Sequence, residues 1–221
     1  MIRLDKDSRE TILFAWLGGA LILTPLWIFV DRLWITVPVT VVLFVFMCFV
    51  TWFFRVPERQ APAGERLVTS VADGKVVIVE KTFEKEYLKR DCIQVSVYMN
   101  FFDVHCNFWP VEGEVAYYKY HPGCNKLAFL PKSSDLNEHA SSAVRTPHGD
   151  EIFFKQIAGT FARRIVCYSK PGLKVVRGKQ CGVIKFGSRI DMFLPLDADI
   201  RVKVGDLVSA VTSVVAVLPK R

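Results

Sequence analysis

Gly187 and Ser188 are the residues of this chain whose types and spacing most directly suggest chemistry. They lie between two short apolar runs, Val183-Ile184 and Ile190 to Leu194. The pair is therefore expected in a turn or bend between strands. Gly187 lacks Cβ, so the backbone there can take strained conformations closed to other residues. In such a bend the Ser188 hydroxyl can turn back onto the Gly187 carbonyl. Attack there gives an ester, and β-elimination of the ester leaves a pyruvoyl group in place of the serine. A Gly-Ser pair on its own is also an ordinary turn, so the segments around it decide the reading.

Those segments are mostly strand-like. After Gln60 to Glu65, a short linker without helical or strand pattern, come β-branched runs separated by turn residues. They are Lys75 to Glu80, Cys92 to Met99, Val115 to Tyr120, Ile165 to Tyr168, Cys181 to Lys185, Arg189 to Leu194, Arg201 to Val204 and Leu207 to Val217. Ser134 to Ala143 reads as a short helix or a loop. Val202 to Val208 carries Gly205-Asp206, similar to the Gly-Asp-x-Val turn of biotinyl and lipoyl domains, and Asp73-Gly74-Lys75-Val76 repeats it loosely. The expected fold class is mainly β, a barrel-sandwich-like arrangement of hairpins.

Four segments in order resemble the pyruvoyl-dependent phosphatidylserine decarboxylases, most closely their short bacterial and archaeal-type branch. Phe186-Gly187-Ser188-Arg189 with Phe193-Leu194-Pro195 resembles the family's cleavage segment. Ser70 to Val76 is similar to its Ser-Pro-x-Asp-Gly-x-Val element. Asn100 to Gly113 is similar to its Asp-Val-His-x-Asn-x-x-Pro-x-x-Gly element. Gln156-Ile157-Ala158-Gly159, then Ala162-Arg163-Arg164-Ile165, resembles its Gln-x-Ala-Gly-x-x-Ala-Arg-Arg-Ile element. The resemblance runs from about residue 55 to the C-terminus. Val71 stands where proline is usual, Phe108 where the short branch has arginine and the long branch a second histidine, and His139 where arginine follows Asn-Glu. Phe108 cannot accept a proton, so the base for self-cleavage stays open.

The resemblance implies a proenzyme that cuts itself between Gly187 and Ser188 into a β chain, 1–187, and an α chain, 188–221. The cofactor would be a pyruvoyl group derived from Ser188. Its carbonyl would condense with the amine of phosphatidylserine to a Schiff base and take up the charge left at Cα when CO₂ departs, giving phosphatidylethanolamine. His105, in the closest-matching motif, is the expected proton donor to Cα, since histidine is the natural acid near neutral pH. Asp73 would orient or activate Ser188 or a histidine; otherwise it closes an Asp-Gly turn. Asn107 would hold a backbone or substrate carboxylate group, and His139 would touch a lipid phosphate. His121 and His148 read as loop histidines.

Residues 11–54 hold two apolar runs, Ile12 to Val30 and Leu33 to Phe54, split by Asp31-Arg32. Each is long enough to cross a hydrocarbon core of ~30 Å as a helix. A cleaved signal peptide fits poorly, because the second run is long and no small-residue cleavage site follows. The expected division is a membrane anchor over 1–54 with helices near 12–30 and 33–54, a linker over 55–66, and a decarboxylase domain over 67–221. Arg3, Lys6 and Arg9 precede the runs and Arg55, Arg59 and Arg66 follow, against Arg32 alone in the turn. Both ends are therefore expected in the cytoplasm at the inner membrane. Trp27, Trp34 and Trp52 suit membrane interfaces.

The formal charge of +7 suits an anionic lipid surface. Nucleic acid is not expected as a partner, since no helix-turn-helix, zinc-finger or RNP pattern is present. The six cysteines form no C-x-x-C pair, which gives neither a disulfide framework nor a metal site and fits free thiols in a cytoplasmic domain. Self-association into a homo-oligomer is left open. Two other functions stand beside the decarboxylase. A membrane-anchored barrel-sandwich adaptor explains the anchor and turns but gives Gly187-Ser188 and His105 no purpose. A serine hydrolase on Ser188, His105 and Asp73 lacks a nucleophile-elbow pattern. A denaturing gel separates them, because only self-cleavage gives two fragments.

Overall fold

A computed structural model describes residues 3–123, 137–159, 164–185 and 188–220. The chain forms two compact units that divide between Pro57 and Glu58.

The first unit is a helical hairpin. Strand β1 (Arg3–Leu4) and one 3₁₀ turn lead into α1 (Arg9–Phe29), and α2 (Leu33–Phe53) leads into β2 (Arg55–Val56). Both helices are long and apolar enough to cross a membrane. The first begins three residues before the apolar run, because Glu10 in its first turn complements the positive helix end. Two indole N–H groups tie the helices together: Trp16 Nε1 donates to Thr51 Oγ1 at 3.0 Å and Trp27 Nε1 to Thr40 Oγ1 at 2.9 Å. Met47 packs where a side chain on Gly19 would stand. β1 pairs antiparallel with β2, so the two ends of the hairpin emerge side by side.

The second unit is mainly β. Its strands are β3 (Leu67–Thr69), β4 (Gly74–Glu84), β5 (Arg90–Met99), β6 (Cys106–Phe108), β7 (Gly113–His121), β8 (His139–Arg145) and β9 (Glu151–Ala158). There follow β10 (Arg164–Cys167), β11 (Lys174–Val175), β12 (Gln180–Lys185), β13 (Ser188–Leu194), β14 (Asp199–Ile200), β15 (Leu207–Val208) and β16 (Val214–Val217). Eight of them make a curled, half-barrel antiparallel sheet in the order β11-β7-β8-β9-β13-β5-β4-β15. Two three-stranded sheets, β10-β12-β6 and β14-β16-β3, accompany it.

Alternation along the strands sorts the large sheet into two faces. Val95, Val97, Met99, Ile152, Phe154, Ile190 and Met192 point into the main core. Phe153, Phe193, Cys92 and Ala143 form a smaller cluster on the other face. β13 lies between β9 and β5, and every one of its residues is buried.

Three expectations change. The stretch read as a short helix or loop, Ser134 to Ala143, ends in strand β8, and residues 134–136 lie outside the described ones. Its small polar residues suit a strand buried on both faces. The run Leu207 to Val217 is two strands, not one. Val211 takes a positive φ of 74 between them, held by its N–H to the Ser70 carbonyl at 3.0 Å. Residues 201–203 are irregular, and the strand expected there sits earlier, at β14. The two Asp/Gly turns that looked alike dock on each other: the Val76 N–H donates to the Asp206 carbonyl and the Gly205 N–H to the Val76 carbonyl, both at 2.9 Å.

Candidate active site

Ser188 opens β13, the central strand, and is fully buried on the core face. Met99 of β5 is its direct partner on one side and Ala158 of β9 on the other. The Ser188 hydroxyl donates toward Met99 Sδ at 3.8 Å, and Asn107 Nδ2 donates to the same sulfur at 3.9 Å. Asn107 Oδ1 in turn accepts from Gln156 Nε2 at 2.8 Å. Among the described residues, Gln156 Oε1 is buried with no hydrogen-bond partner. The space for this contact comes from Gly182, where a Cβ would lie 2.9 Å from Gln156 Nε2.

His105 lies two residues before Asn107 and is likewise fully buried. Its Nδ1 is 3.0 Å from the Asp103 carbonyl, which can only accept, so Nδ1 carries a proton and Nε2 is the exchangeable position. The His105 carbonyl accepts from the Ile184 N–H at 3.2 Å, which ties this segment to β12. Serine and asparagine thus meet at Met99 beneath one end of β13, and His105 is buried two residues before that asparagine. Gly187, the other half of the Gly-Ser pair, lies outside the described residues.

Asp73 is engaged elsewhere. Arg59 grips it with both terminal nitrogens, Nη2 at 2.9 Å from Oδ2, and the Ala210 N–H donates to Oδ1 at 2.7 Å. The carboxylate thereby fixes the Ser70–Gly74 turn against the segment after β15. The hydrogen bond and charge of Asp73 raise the Arg59 guanidinium above its ordinary pKa, against the opposing effect of burial. The turn also meets β6, since the Phe108 N–H donates to the Val71 carbonyl at 2.9 Å.

His139 belongs to the opposite face of the sheet. It shares a cross-strand row with Ile157 and Arg189, one residue out of phase with Ser188. It is buried and stacks on His121, ring centroids 4.3 Å apart. Burial lowers its pKa, with the hydrogen bond to the Asn137 carbonyl only partly offsetting this. His121 is not in a loop but ends β7, where Nε2 meets Glu86 at 2.7 Å. Glu86 also receives Lys155 at 2.9 Å, Ser141 at 3.0 Å and Tyr117 at 3.2 Å. Burial works to raise the Glu86 pKa, but Lys155 and the hydrogen bonds from His121 and Ser141 outweigh it and hold it at about 2. Glu86, His121 and His139 present possible metal ligands within 4.8 Å of one another. Four donors, one an ammonium, already occupy the Glu86 carboxylate, while His139 bonds the Asn137 carbonyl and only stacks on His121.

The chain matches the family model for phosphatidylserine decarboxylase over residues 46–216. It belongs to the phosphatidylserine decarboxylase family. The phosphatidylserine decarboxylase proenzyme of Amoebophilus asiaticus (strain 5a2) is 47% identical over 167 residues, 76% of this chain and 74% of the relative. That of Syntrophus aciditrophicus (strain SB) is 45% identical over 183 residues, 82% of this chain and 84% of the relative. That of Cytophaga hutchinsonii is 42% identical over 164 residues, 74% of each chain.

In this decarboxylase several residues near the site had no role assigned from sequence. Gln156 was part of a motif only. Its signal was there, since it is the one strongly polar side chain in the core-facing series Ile152, Phe154, Gln156, Ala158. Met99 and Arg59 gave no local signal, because one acts through a cross-strand pairing and the other through a contact with a distant turn. Arg189, part of the segment that resembles the cleavage motif, and Asp191 are buried together and pair at 2.6 Å and 3.1 Å, with Arg189 Nη2 also donating to Ser96 Oγ at 3.1 Å. That ion pair staples the strand that begins at Ser188.

Proposed function

We propose that this chain is a phosphatidylserine decarboxylase proenzyme that cuts itself between Gly187 and Ser188 and works through a pyruvoyl group made from Ser188. The observation that carries this reading is Ser188 itself. It is a buried serine at the head of the central strand that shares the Met99 sulfur with Asn107, whose amide partner Gln156 has, among the described residues, a buried oxygen without a hydrogen-bond partner.

In self-cleavage the Ser188 hydroxyl loses its proton as Oγ bonds to the Gly187 carbonyl carbon, and the bond from that carbon to the Ser188 nitrogen breaks. The nitrogen takes up a proton and an ester links the two residues. Loss of the Ser188 Cα proton then breaks the Cβ–O bond and frees Gly187 as a new carboxyl terminus. Water replaces the nitrogen, which leaves as ammonia. The long contact to Met99 sulfur suits this chemistry, because a thioether is a weak acceptor and leaves the hydroxyl oxygen available.

The surroundings suit a pyruvoyl group at position 188. Gln156 offers an acceptor that has no partner among the described residues, and Gly182 keeps the space beside its amide nitrogen clear. Such a group supplies an electron sink for the pair of electrons left when CO₂ departs. Gln156 Oε1 would receive the ammonium of the substrate headgroup. Asn107, held by Gln156, would keep the amide pair in one orientation. His105 would protonate Cα from Nε2, with the Asp103 carbonyl fixing its tautomer. Asp73 is a positioning residue in this account, since its oxygens are committed to Arg59 and Ala210.

The helical hairpin would anchor the enzyme in the inner membrane with both ends cytoplasmic, in keeping with the arginine and lysine flanks and the β1–β2 pairing. The anchor would cover 1–54, the linker 55–66 and the catalytic domain 67–221. The test is a denaturing gel and a CO₂-release assay on phosphatidylserine vesicles. Two fragments and CO₂ are expected; a single active chain would exclude self-cleavage.

A further inference from the structure

The segment between Met99 and His105 carries exposed aromatic side chains that the reaction itself does not use. Phe101 is 39% exposed and Phe102 is 70% exposed, whereas the domain's other described phenylalanines apart from Phe83 are buried. The loop that carries them is closed by its own polar groups. The Asn100 N–H donates to Asp103 Oδ2 at 2.7 Å, the Phe102 N–H to Asn100 Oδ1 at 2.7 Å, and the Asp103 N–H to the Asn100 carbonyl at 3.2 Å. Asn100 Oδ1 and Asp103 Oδ2 are thus engaged in closing the turn, and two of the side chains that project from it are aromatic. One end of the loop joins the site directly, since Met99 is the cross-strand partner of Ser188, and the other leads to His105, fully buried two residues before Asn107.

We propose that residues 100–104 form an interfacial wedge, with Phe101 and Phe102 entering the bilayer next to Ser188. The proposal rests on the reading that the substrate is a membrane lipid. A lipid surface fits better than a protein partner for two reasons. The same chain carries two helices long and apolar enough to hold it at a bilayer. Two aromatic rings are also too small a patch for a stable protein interface, which buries on the order of 1,200 Å² or more, whereas aromatic rings at the headgroup level are the usual membrane-interface contact. Lys75 is exposed on the neighbouring strand, paired with Tyr98 one residue before Met99, and offers an ammonium to anionic headgroups. A wedge here would spare the headgroup a long transfer out of the membrane before it meets the site.

The test uses the full-length chain reconstituted in vesicles of phosphatidylserine and phosphatidylcholine, with p-benzoylphenylalanine at position 102 or position 148. Position 148 is the control, because His148 is exposed in the β8–β9 turn, at the opposite end of β9 from the Ala158–Ser188 pair. Illumination should give phospholipid adducts at 102 several times more abundant than at 148. Equal yields, or adducts to protein instead of lipid, would overturn the wedge. The second arm pairs Phe101→Ser with Phe102→Ser. CO₂ release from long-chain vesicles should fall about tenfold, while release from short-chain phosphatidylserine dissolved as monomers should stay unchanged. An equal loss on both substrates would place the loop in the chemistry and overturn the proposal. A parent chain that releases no CO₂ from either substrate would defeat the decarboxylase reading, while the adduct yields would still judge the loop.

Discussion

Ser188 and Asn107 meet on one sulfur atom: the Ser188 hydroxyl lies 3.8 Å and the Asn107 amide nitrogen 3.9 Å from Met99 Sδ. The two residues are far apart in sequence, and Met99 belongs to a third strand. The geometry holds the serine with a weak partner while the asparagine is held firmly by Gln156 from its other side.

Met99→Leu keeps the volume and removes the acceptor. Such swaps usually cost under about 1.5 kcal/mol, so the variant should fold. Self-cleavage should slow by several-fold, because the buried hydroxyl loses the group that orients it. Pulse labelling followed by gel quantification of full-length chain and fragments reads the rate. An unchanged rate would remove Met99 from the account.

Asp73 and Arg59 should fail together. Removing either side chain breaks a charge-assisted pair worth about 1.5–3 kcal/mol, loosens the Ser70–Gly74 turn and impairs maturation. Both Asp73→Ala and Arg59→Ala should show full-length chain accumulating and a lowered thermal midpoint. If Asp73→Ala alone blocked cleavage while Arg59→Ala matured normally, Asp73 would be acting as a base instead of a positioning residue.

His105→Ala should separate the two reactions. The proton supplied to Cα by a placed acid typically contributes ~10²–10⁴-fold, so CO₂ release should fall by that order in cleaved enzyme. Gln156→Leu should also mature, with a lower rate that is only partly restored at high substrate. Cleaved His105→Ala running at the parent rate would remove His105 from the reaction.

The domain should lose stability toward acid in two stages. Unfolded, His139 titrates near 6.5 and Glu86 near 4.5; in the fold both are lower, His139 chiefly by burial and Glu86 through Lys155 and its hydrogen bonds. The contribution from neutral His139 is complete above pH 6.5 and declines as pH falls below it, because the unfolded chain takes up a proton that the folded one resists. The Glu86 contribution is complete above pH 4.5 and is lost as pH falls toward about 2. Thermal midpoints measured across this range should fall in both windows. His139→Gln should flatten the upper window alone, and an unchanged profile would contradict the placement of His139.

Much of this was legible in the sequence because alternation and turn residues are local signals. The strands around Gly187-Ser188 and the hairpin of apolar helices are set by such patterns, whereas the segment with His105 and Asn107 stands out only through its resemblance to a family motif, and strand β6 within it is not among the expected runs. Leu207 to Val217 misled because its apolar run hides a turn at Val211 that depends on a bond to Ser70. His121 looked like a loop residue beside Pro122 and Gly123, yet its partner Glu86 lies on another hairpin. Asp73 looked free to serve Ser188, and only the fold brings Arg59 and Ala210 to its carboxylate. In each case the deciding contact joins residues distant in sequence, where periodicity carries no information.

The most direct test of the central claim is the intact mass of the fragment that begins at position 188, taken from purified full-length protein beside Ser188→Ala. The parent should yield two chains, the smaller one spanning 188–221 and lighter by one ammonia than the same peptide with an amino-terminal serine. Ser188→Ala should give only the uncut chain. A parent that remains one chain while releasing CO₂ from phosphatidylserine, or a Ser188→Ala protein that still splits at this bond, would contradict the account.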